Sequence, residues 1–323
     1  MNGGQLIVRL PNWIGDTLMV YPMLLALQKS KVDFVCLGHP WVEELFAGTS
    51  INFVASKEVK KIKWCYQFYK KNNFKHAILC TNTLSSAIPM RLAGLKPFTY
   101  HPLSSNKLKY DDSLHTVENY FALGQSFISK DLKLSDLDDK IPVDQKNKEL
   151  TESLIKEKIK SDYIVICPYA TNLHKGKNKE WPYWKEFCQK FKNDLKIVSL
   201  VSKSDYDRCK KDFPGILVMS EGLSLTGSLM KHAKYVLAND SGAMHIAAFF
   251  GANVVGLFGA TEINKTDQEW QSLLTKDEYY VTRQKGTEPP FSGKNFKIIN
   301  GGIFQCKCCN NELFNSSTKY ESG

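Results

Sequence analysis

The stretch from Val236 to Glu262 constrains the fold of this chain more than any other part of it. An apolar run, Tyr235 to Ala238, has the length and bulk of a buried strand. It meets Asn239-Asp240-Ser241-Gly242, a turn made of helix-capping residues. An uncharged helical stretch follows, Ala243 to Phe250, and then a second apolar strand, Asn253 to Phe258. Strand–turn–helix–strand units build parallel sheets, whose ligands bind at the carboxyl ends of the strands. Asp240 and His245 thus fall where a ligand would sit, at the start of a helix whose free N–H groups attract anions. The pattern reads as a phosphate site.

Two plainer readings compete with it. Gly242 to Thr261 are 20 residues without a formal charge, long enough to span a membrane. Four glycines, an asparagine and a histidine within that run argue against a span. The other reading makes Asp240 an N-cap and His245 a satisfied core residue. This segment by itself does not decide between capping and ligand binding.

A chain of 323 residues exceeds one ordinary core and predicts two α/β domains. With 43% hydrophobic and 24% charged residues, the composition is that of a soluble globular protein. The N-terminus lacks a basic segment followed by a long apolar one, so no secretory signal is read and a cytoplasmic protein is expected. Cys36, Cys80 and Cys167 lie in strand-like runs, and Cys65, Cys188 and Cys209 in helix-like ones, where free thiols act as small hydrophobes. Cys306, Cys308 and Cys309 cluster but lack the second pair that a structural zinc site needs, so no metal is expected.

The net charge of +10 implies an acidic partner. Between Ser56 and Lys75 there are seven lysines against one glutamate, interleaved with apolar residues at a spacing that fits an amphipathic helix with a basic outer face. No nucleic-acid motif accompanies the charge, and no nucleic-acid partner is expected.

Strand-like and helix-like stretches alternate along both halves, which argues doubly wound parallel sheets. The polar stretch Lys130 to Glu152 is the expected interdomain connection. The boundaries expected are residues 1–150, 151–284 and an irregular tail, 285–323. The first strand runs into Pro11-Asn12-Trp13-Ile14-Gly15-Asp16, a turn that lacks a dinucleotide fingerprint. Gly15 would let another backbone come close, and Asp16 is either a cap or a general base aimed at the cleft. In the second half, Tyr163 to Cys167 leads into Thr171, His174, Lys175, Lys177 and Lys179, a hydroxyl- and cation-rich loop suited to a diphosphate.

Leu-Pro-Asn-Trp-Ile-Gly-Asp at 10–16, Lys-Glu-Trp-Pro at 179–182 and Asn-Asp-Ser-Gly-Ala-Met-His-Ile-Ala at 239–247 together resemble the ADP-heptose:lipopolysaccharide heptosyltransferases (glycosyltransferase family 9). Asn82-Thr83-Leu84-Ser85-Ser86-Ala87 and the first motif are most similar to the heptosyltransferase II branch. The resemblance spans most of residues 5–262. It implies a GT-B fold, two Rossmann-like domains facing across a cleft, and an inverting transfer of heptose from ADP-heptose to a lipopolysaccharide inner core.

The same resemblance implies the site. Asp16 matches the catalytic base. Thr171, Lys179, Asp240, Ser241, Gly242 and His245 match the donor-binding positions, and Asp205 is the stand-in for a glutamate that contacts the nucleoside. Asn12, Trp13, Asn82 and Ser85 fall on the acceptor side, where Lys60, Lys61 and Lys63 are expected to meet an anionic glycolipid and the inner face of the cytoplasmic membrane. No cofactor is expected beyond the donor ADP-heptose, and the chain is expected to act as a monomer. A relative using another nucleotide sugar, or a binder without transferase activity, is the alternative. The cysteine cluster resembles a remnant of that branch's cysteine-rich loop.

Overall fold

The computed structural model of the protein describes residues 5–170 and 179–258, residues 275, 276, 279 and 280, and the backbone of 303–305 and 312–315. The chain divides into two compact units, Met1–Thr261 and Glu262–Gly323.

The first half of the larger unit alternates strands and helices: β1 (Leu6–Arg9), α1 (Ile14–Lys29), β2 (Phe34–Gly38), α2 (Trp41–Leu45), β3 (Phe53–Ala55), α3 (Ile62–Asn72), β4 (His76–Leu79), α4 (Leu84–Leu92) and α5 (Thr116–Gly124). Its sheet is parallel throughout, in the order β3-β2-β1-β4. All four residues of β1 are buried, because helices cover both faces of a parallel sheet. Leu6 and Val8 pack into one core and Ile7 into the other, as the two-residue period of a strand requires.

After α6 (Gln145–Leu154) the second half repeats the scheme with β5 (Ile164–Cys167), α7 (Trp184–Phe191), β6 (Ile197–Leu200), α8 (Tyr206–Asp212), β7 (Leu217–Met219), α9 (Leu223–His232), β8 (Val236–Asn239), α10 (Gly242–Phe249) and β9 (Val254–Leu257). The sheet order is β7-β6-β5-β8-β9, again all parallel. One hydrophobic cluster runs from Leu18 and Leu24 through to Val236, Ile246 and Phe250, so the two Rossmann-like halves share a core. This is the α/β GT-B arrangement. In the smaller unit, β10 (Ile303–Gln305) and β11 (Glu312–Asn315) pair antiparallel, within a stretch expected to be irregular.

Two expectations change in detail. The basic helix begins only at Ile62, so Lys60 and Lys61 precede it and Lys63 alone of the three is helical. The reason is tertiary. The carbonyl of Val59 accepts bonds from Arg9 Nη2 (3.2 Å) and Cys65 Sγ (3.3 Å), which fixes the preceding residues as a turn. The stretch around 130–152, read as a connection without periodicity, contains α6. Asp144 caps that helix by accepting the Asn147 N–H at 3.0 Å, and Thr151 donates to Ser228 of α9 at 2.7 Å. The first residues of α6 are polar because only one of its faces packs against protein.

Candidate functional site

The place expected to take the donor is built by β8 and the start of α10. Asn239 is fully buried and uses its whole side chain. Its Oδ1 accepts the Trp181 N–H (2.9 Å) and the Trp184 indole N–H (3.2 Å), and its Nδ2 donates to the carbonyls of Cys167 (3.3 Å) and Pro168 (2.8 Å). Asn239 thereby joins the end of β5, the Lys-Glu-Trp-Pro turn and β8. The turn is held in addition by Arg208, which donates to both carboxylate oxygens of Glu180 at 3.2 and 3.0 Å.

Lys179 emerges from that turn beside Asp240. Its Nζ lies 2.8 Å from Asp240 Oδ2, and both side chains are mostly buried. Asp240 is therefore not the N-cap of α10. The cap position belongs to Ser241, whose hydroxyl makes no capping bond and is buried without a partner. An uncapped helix start, a buried hydroxyl and an ammonium group converge here, as a phosphate-binding turn requires. Gly242 opens the helix behind Ile14 of the first half.

His245, one turn into α10, faces the first half. A Cβ on Gly15 would lie 2.8 Å from its Cδ2. The expected close approach at Gly15 is thus made by an imidazole ring and not by backbone. Asp16 follows Gly15 in the first turn of α1, which has no side-chain cap. Burial raises the Asp16 carboxyl above its ordinary pKa, and His245 partly offsets this. Burial lowers the His245 pKa, while Asp240 and Asp16 act to raise it. Burial thus disfavours the charged form of both groups, and each partly offsets that effect on the other.

Two residues of the first half that the sequence did not single out also reach this place. The charge of Asp16 adds to the burial that raises the Tyr120 phenol on α5. His115 caps α5, its Nδ1 accepting the Val117 N–H (3.2 Å) while Glu118 accepts the His115 N–H (2.8 Å), and its charge is felt by His245. The His115-x-x-Glu118 spacing carried that signal as a capping box, masked by histidine standing where serine or threonine is usual.

The residues expected on the acceptor side lie along the carboxyl edge of the first sheet. Asn12 accepts a bond from Arg9 Nη2 at 2.8 Å, and Trp13 is 59% exposed. Asn82 and Ser85 are exposed in the turn after β4, neighbour to β1 in the sheet. Lys60, Lys61 and Lys63 are exposed on the β3 side, and Lys61 pairs with Glu58 at 2.6 Å. Arg9 underlies this edge, buried, with its Nε unpartnered. Asp205 is held by Ser202, whose hydroxyl lies 2.6 Å from Asp205 Oδ2. The adjacent cavity of about 560 Å3 is lined by Lys203, Tyr206, Met219 and Glu221, so Glu221 and not Asp205 supplies a carboxylate there. Thr171, His174, Lys175 and Lys177, and the cluster Cys306, Cys308 and Cys309, lie outside the described residues. Among the described residues no group of three His, Cys, Asp or Glu is placed to hold a metal ion, and no helix is long and apolar enough to cross a membrane.

Comparison with known proteins agrees with this geometry. Residues 66–292, more than half of the chain, match the model of glycosyltransferase family 9 (heptosyltransferase). The fold is similar to that of E. coli ADP-heptose lps heptosyltransferase II (TM-score 0.65, 20% identity, covering 80% of this chain and 86% of that one). It is also similar to a glycosyl transferase family 9 protein of Veillonella parvula (TM-score 0.64, 14% identity, 85% and 91%). A third match is E. coli heptosyltransferase WaaC, solved with ADP-2-deoxy-2-fluoro heptose (TM-score 0.58, 17% identity, 80% and 90%). Two Rossmann-like halves of this kind make a GT-B fold. The chain belongs to glycosyltransferase family 9.

The C-terminal end has a different likeness. Residues 274–323 match the SelR domain model. Over 62 residues the chain is 52% identical to peptide methionine sulfoxide reductase MsrB of Acinetobacter baumannii, covering 19% of this chain and 45% of that protein. Over 58 residues it is 55% identical to the chloroplastic peptide methionine sulfoxide reductase B1 of rice, covering 18% and 27%. The chain spans less than half the length of the curated relatives it matches. The cysteine cluster falls in this matched stretch and not in the stretch matched by the glycosyltransferase family.

Proposed function

We propose that the protein transfers heptose, with inversion, from ADP-heptose to an anionic inner-core glycolipid of the lipopolysaccharide type. The observation that carries this reading is the meeting of Gly15-Asp16 with His245 across the cleft, beside the Lys179–Asp240 pair. Asp16 would take the proton of an acceptor hydroxyl as its oxygen attacks the anomeric carbon. The bond from that carbon to the diphosphate oxygen breaks, and ADP departs with the electron pair. Charge then grows on the diphosphate, where Lys179, the Ser241 hydroxyl and the N–H groups at the start of α10 would stabilise it. Asp240 would bind sugar hydroxyls once the diphosphate draws Lys179 away. The cavity beside Lys203 and Glu221, at the carboxyl ends of β6 and β7, would take the nucleoside.

On the acceptor side, Asn12, Trp13, Asn82 and Ser85 would orient the sugar, and Lys60, Lys61 and Lys63 would meet its anionic groups and the cytoplasmic membrane surface. The decisive experiment is a donor screen, ADP-heptose against UDP- and GDP-hexoses, with Asp16→Ala as control. Turnover of ADP-heptose that disappears in Asp16→Ala is expected. Turnover of a UDP-sugar alone would overturn the donor, and full activity of Asp16→Ala would overturn the mechanism.

A second reading concerns residues 274–323 alone. We infer that they form part of a methionine sulfoxide reductase-like module carried behind the glycosyltransferase, on the strength of the 52% identity to the Acinetobacter protein. Reduction of a methionine sulfoxide peptide by the protein as it occurs in the cell is the test. No turnover of that peptide would overturn this reading.

A further inference from the structure

The first half holds a second cavity, lined by none of the residues assigned to the cleft. It has a volume of about 320 Å3 and lies where Phe98 pairs with Ile78 at the open edge of the sheet, against α4. That volume is within the range of small-molecule sites. Its walls are of two kinds. Leu79, Ala87 and Leu95 give an apolar floor, while Arg91, Lys96 and His101 give the polar side, with Thr99 and Ser105 beside them.

All three nitrogen-bearing side chains present donors. Arg91 donates through Nη1 to the Leu103 carbonyl at 2.9 Å, which orients the guanidinium and leaves its other N–H groups unused. His101 is buried, and its Nδ1 accepts the Leu103 N–H at 3.2 Å, so its remaining nitrogen, Nε2, carries the proton. Neither Arg91 nor Lys96 forms an ion pair among the described residues, and no carboxylate lines the cavity. Two cations held beside a buried donor, with no anion of the protein opposite, match a ligand carrying two negative charges. A phosphate monoester carries close to that charge at neutral pH.

We propose that this cavity is a binding site for a phosphate monoester, its phosphate held by Arg91, Lys96 and His101 and its organic part resting on Leu79, Ala87 and Leu95. The site is independent of the transfer reaction and of its donor. The phosphate could be carried by a soluble sugar phosphate or by a lipid headgroup, and the two are distinguished by the probe. Isothermal titration of the full chain with glucose 6-phosphate tests the first, and co-sedimentation with vesicles containing phosphatidic acid the second.

Saturable binding of one probe is expected, weakened about tenfold by either Arg91→Ala or Lys96→Ala, as loss of one charge-assisted bond implies. Both side chains are exposed, so the variants should melt with the wild-type protein. Lys179→Ala should leave this binding unchanged and ADP should not compete with it. Binding that survives both substitutions, binding displaced by ADP, equal binding of unphosphorylated glucose, or no binding of either phosphate probe would each overturn the proposal.

Discussion

Gly15→Ala separates stability from activity at the cleft. Gly15 is the second residue of α1, and its backbone does not require glycine: its φ is not in the left-handed region. Alanine is favoured over glycine in a helix by up to about 1 kcal/mol, which offsets part of the cost of the clash with His245, so the melting temperature should change little. The added methyl, however, would stand 2.8 Å from His245 Cδ2. Relaxing that to an ordinary carbon–carbon contact needs a displacement of about 0.7 Å. The ring must turn, or the two halves must part. Asp16 and His245 sit at the point displaced, and a misplacement of this size costs about 10- to 100-fold in rate. The assay is ADP release under saturating donor and acceptor, paired with a thermal melt. His245→Ala supplies the decisive control. In that background the clash is gone, so adding Gly15→Ala should cost nothing further. A rate unchanged in Gly15→Ala, or an equal loss with and without His245, would refute the proposed contact as the cause.

Asp16→Asn should abolish transfer and also raise the melting temperature at neutral pH. Burial raises the folded-state pKa of Asp16 above an unfolded value of about 3.9. Its charge therefore costs stability as pH rises through the interval between those two values, and the cost persists above it. The advantage of asparagine should fade as pH falls through the same interval; melts at a series of pH values would show it, and a constant difference would count against a buried charge. Lys179→Ala should raise the donor KM about tenfold or more with acceptor KM unchanged, since one charge-assisted contact to diphosphate is lost. Equal donor KM values would remove Lys179 from the donor site. Asn239→Ala should lower stability by at least about 2 kcal/mol in denaturant titrations, because it strands two buried N–H donors and two carbonyls at once. A loss below that would mean water or a rearranged turn replaces the amide.

The alternation of apolar strands with helices was legible in the chain because parallel strands are buried on both faces and read as unbroken apolar runs, as in Leu6-Ile7-Val8 and Ile164–Cys167. The motif residues were legible because turns at strand ends leave few alternatives for Gly, Asp and Ser. What was not legible depended on partners distant in sequence. The lysine-rich turn before α3 is held at Val59 because Arg9, 50 residues earlier, binds its carbonyl, and no local pattern encodes that bond. That Glu221 lines the second-half cavity while Ser202 holds Asp205 within its own turn was likewise not legible. Tyr120 reaches Asp16 only because α5 packs along α1. The C-terminal stretch was read through the resemblance of the preceding domain, which concealed its separate likeness to a reductase.

The three polar residues ending β8 have three unlike duties, although as a sequence they read as one capping turn. Asn239 points inward and is consumed by four hydrogen bonds that hold three chain segments together. Asp240 turns aside to Lys179, and Ser241 is left with an unpartnered hydroxyl at the head of α10. A turn built only for stability would have used one of these side chains to cap the helix, a contribution of about 1 kcal/mol. Here none does, and the helix start stays open toward the cleft. Leaving that donor set unsatisfied while a fully buried asparagine fixes its position is what the proposed diphosphate site would need.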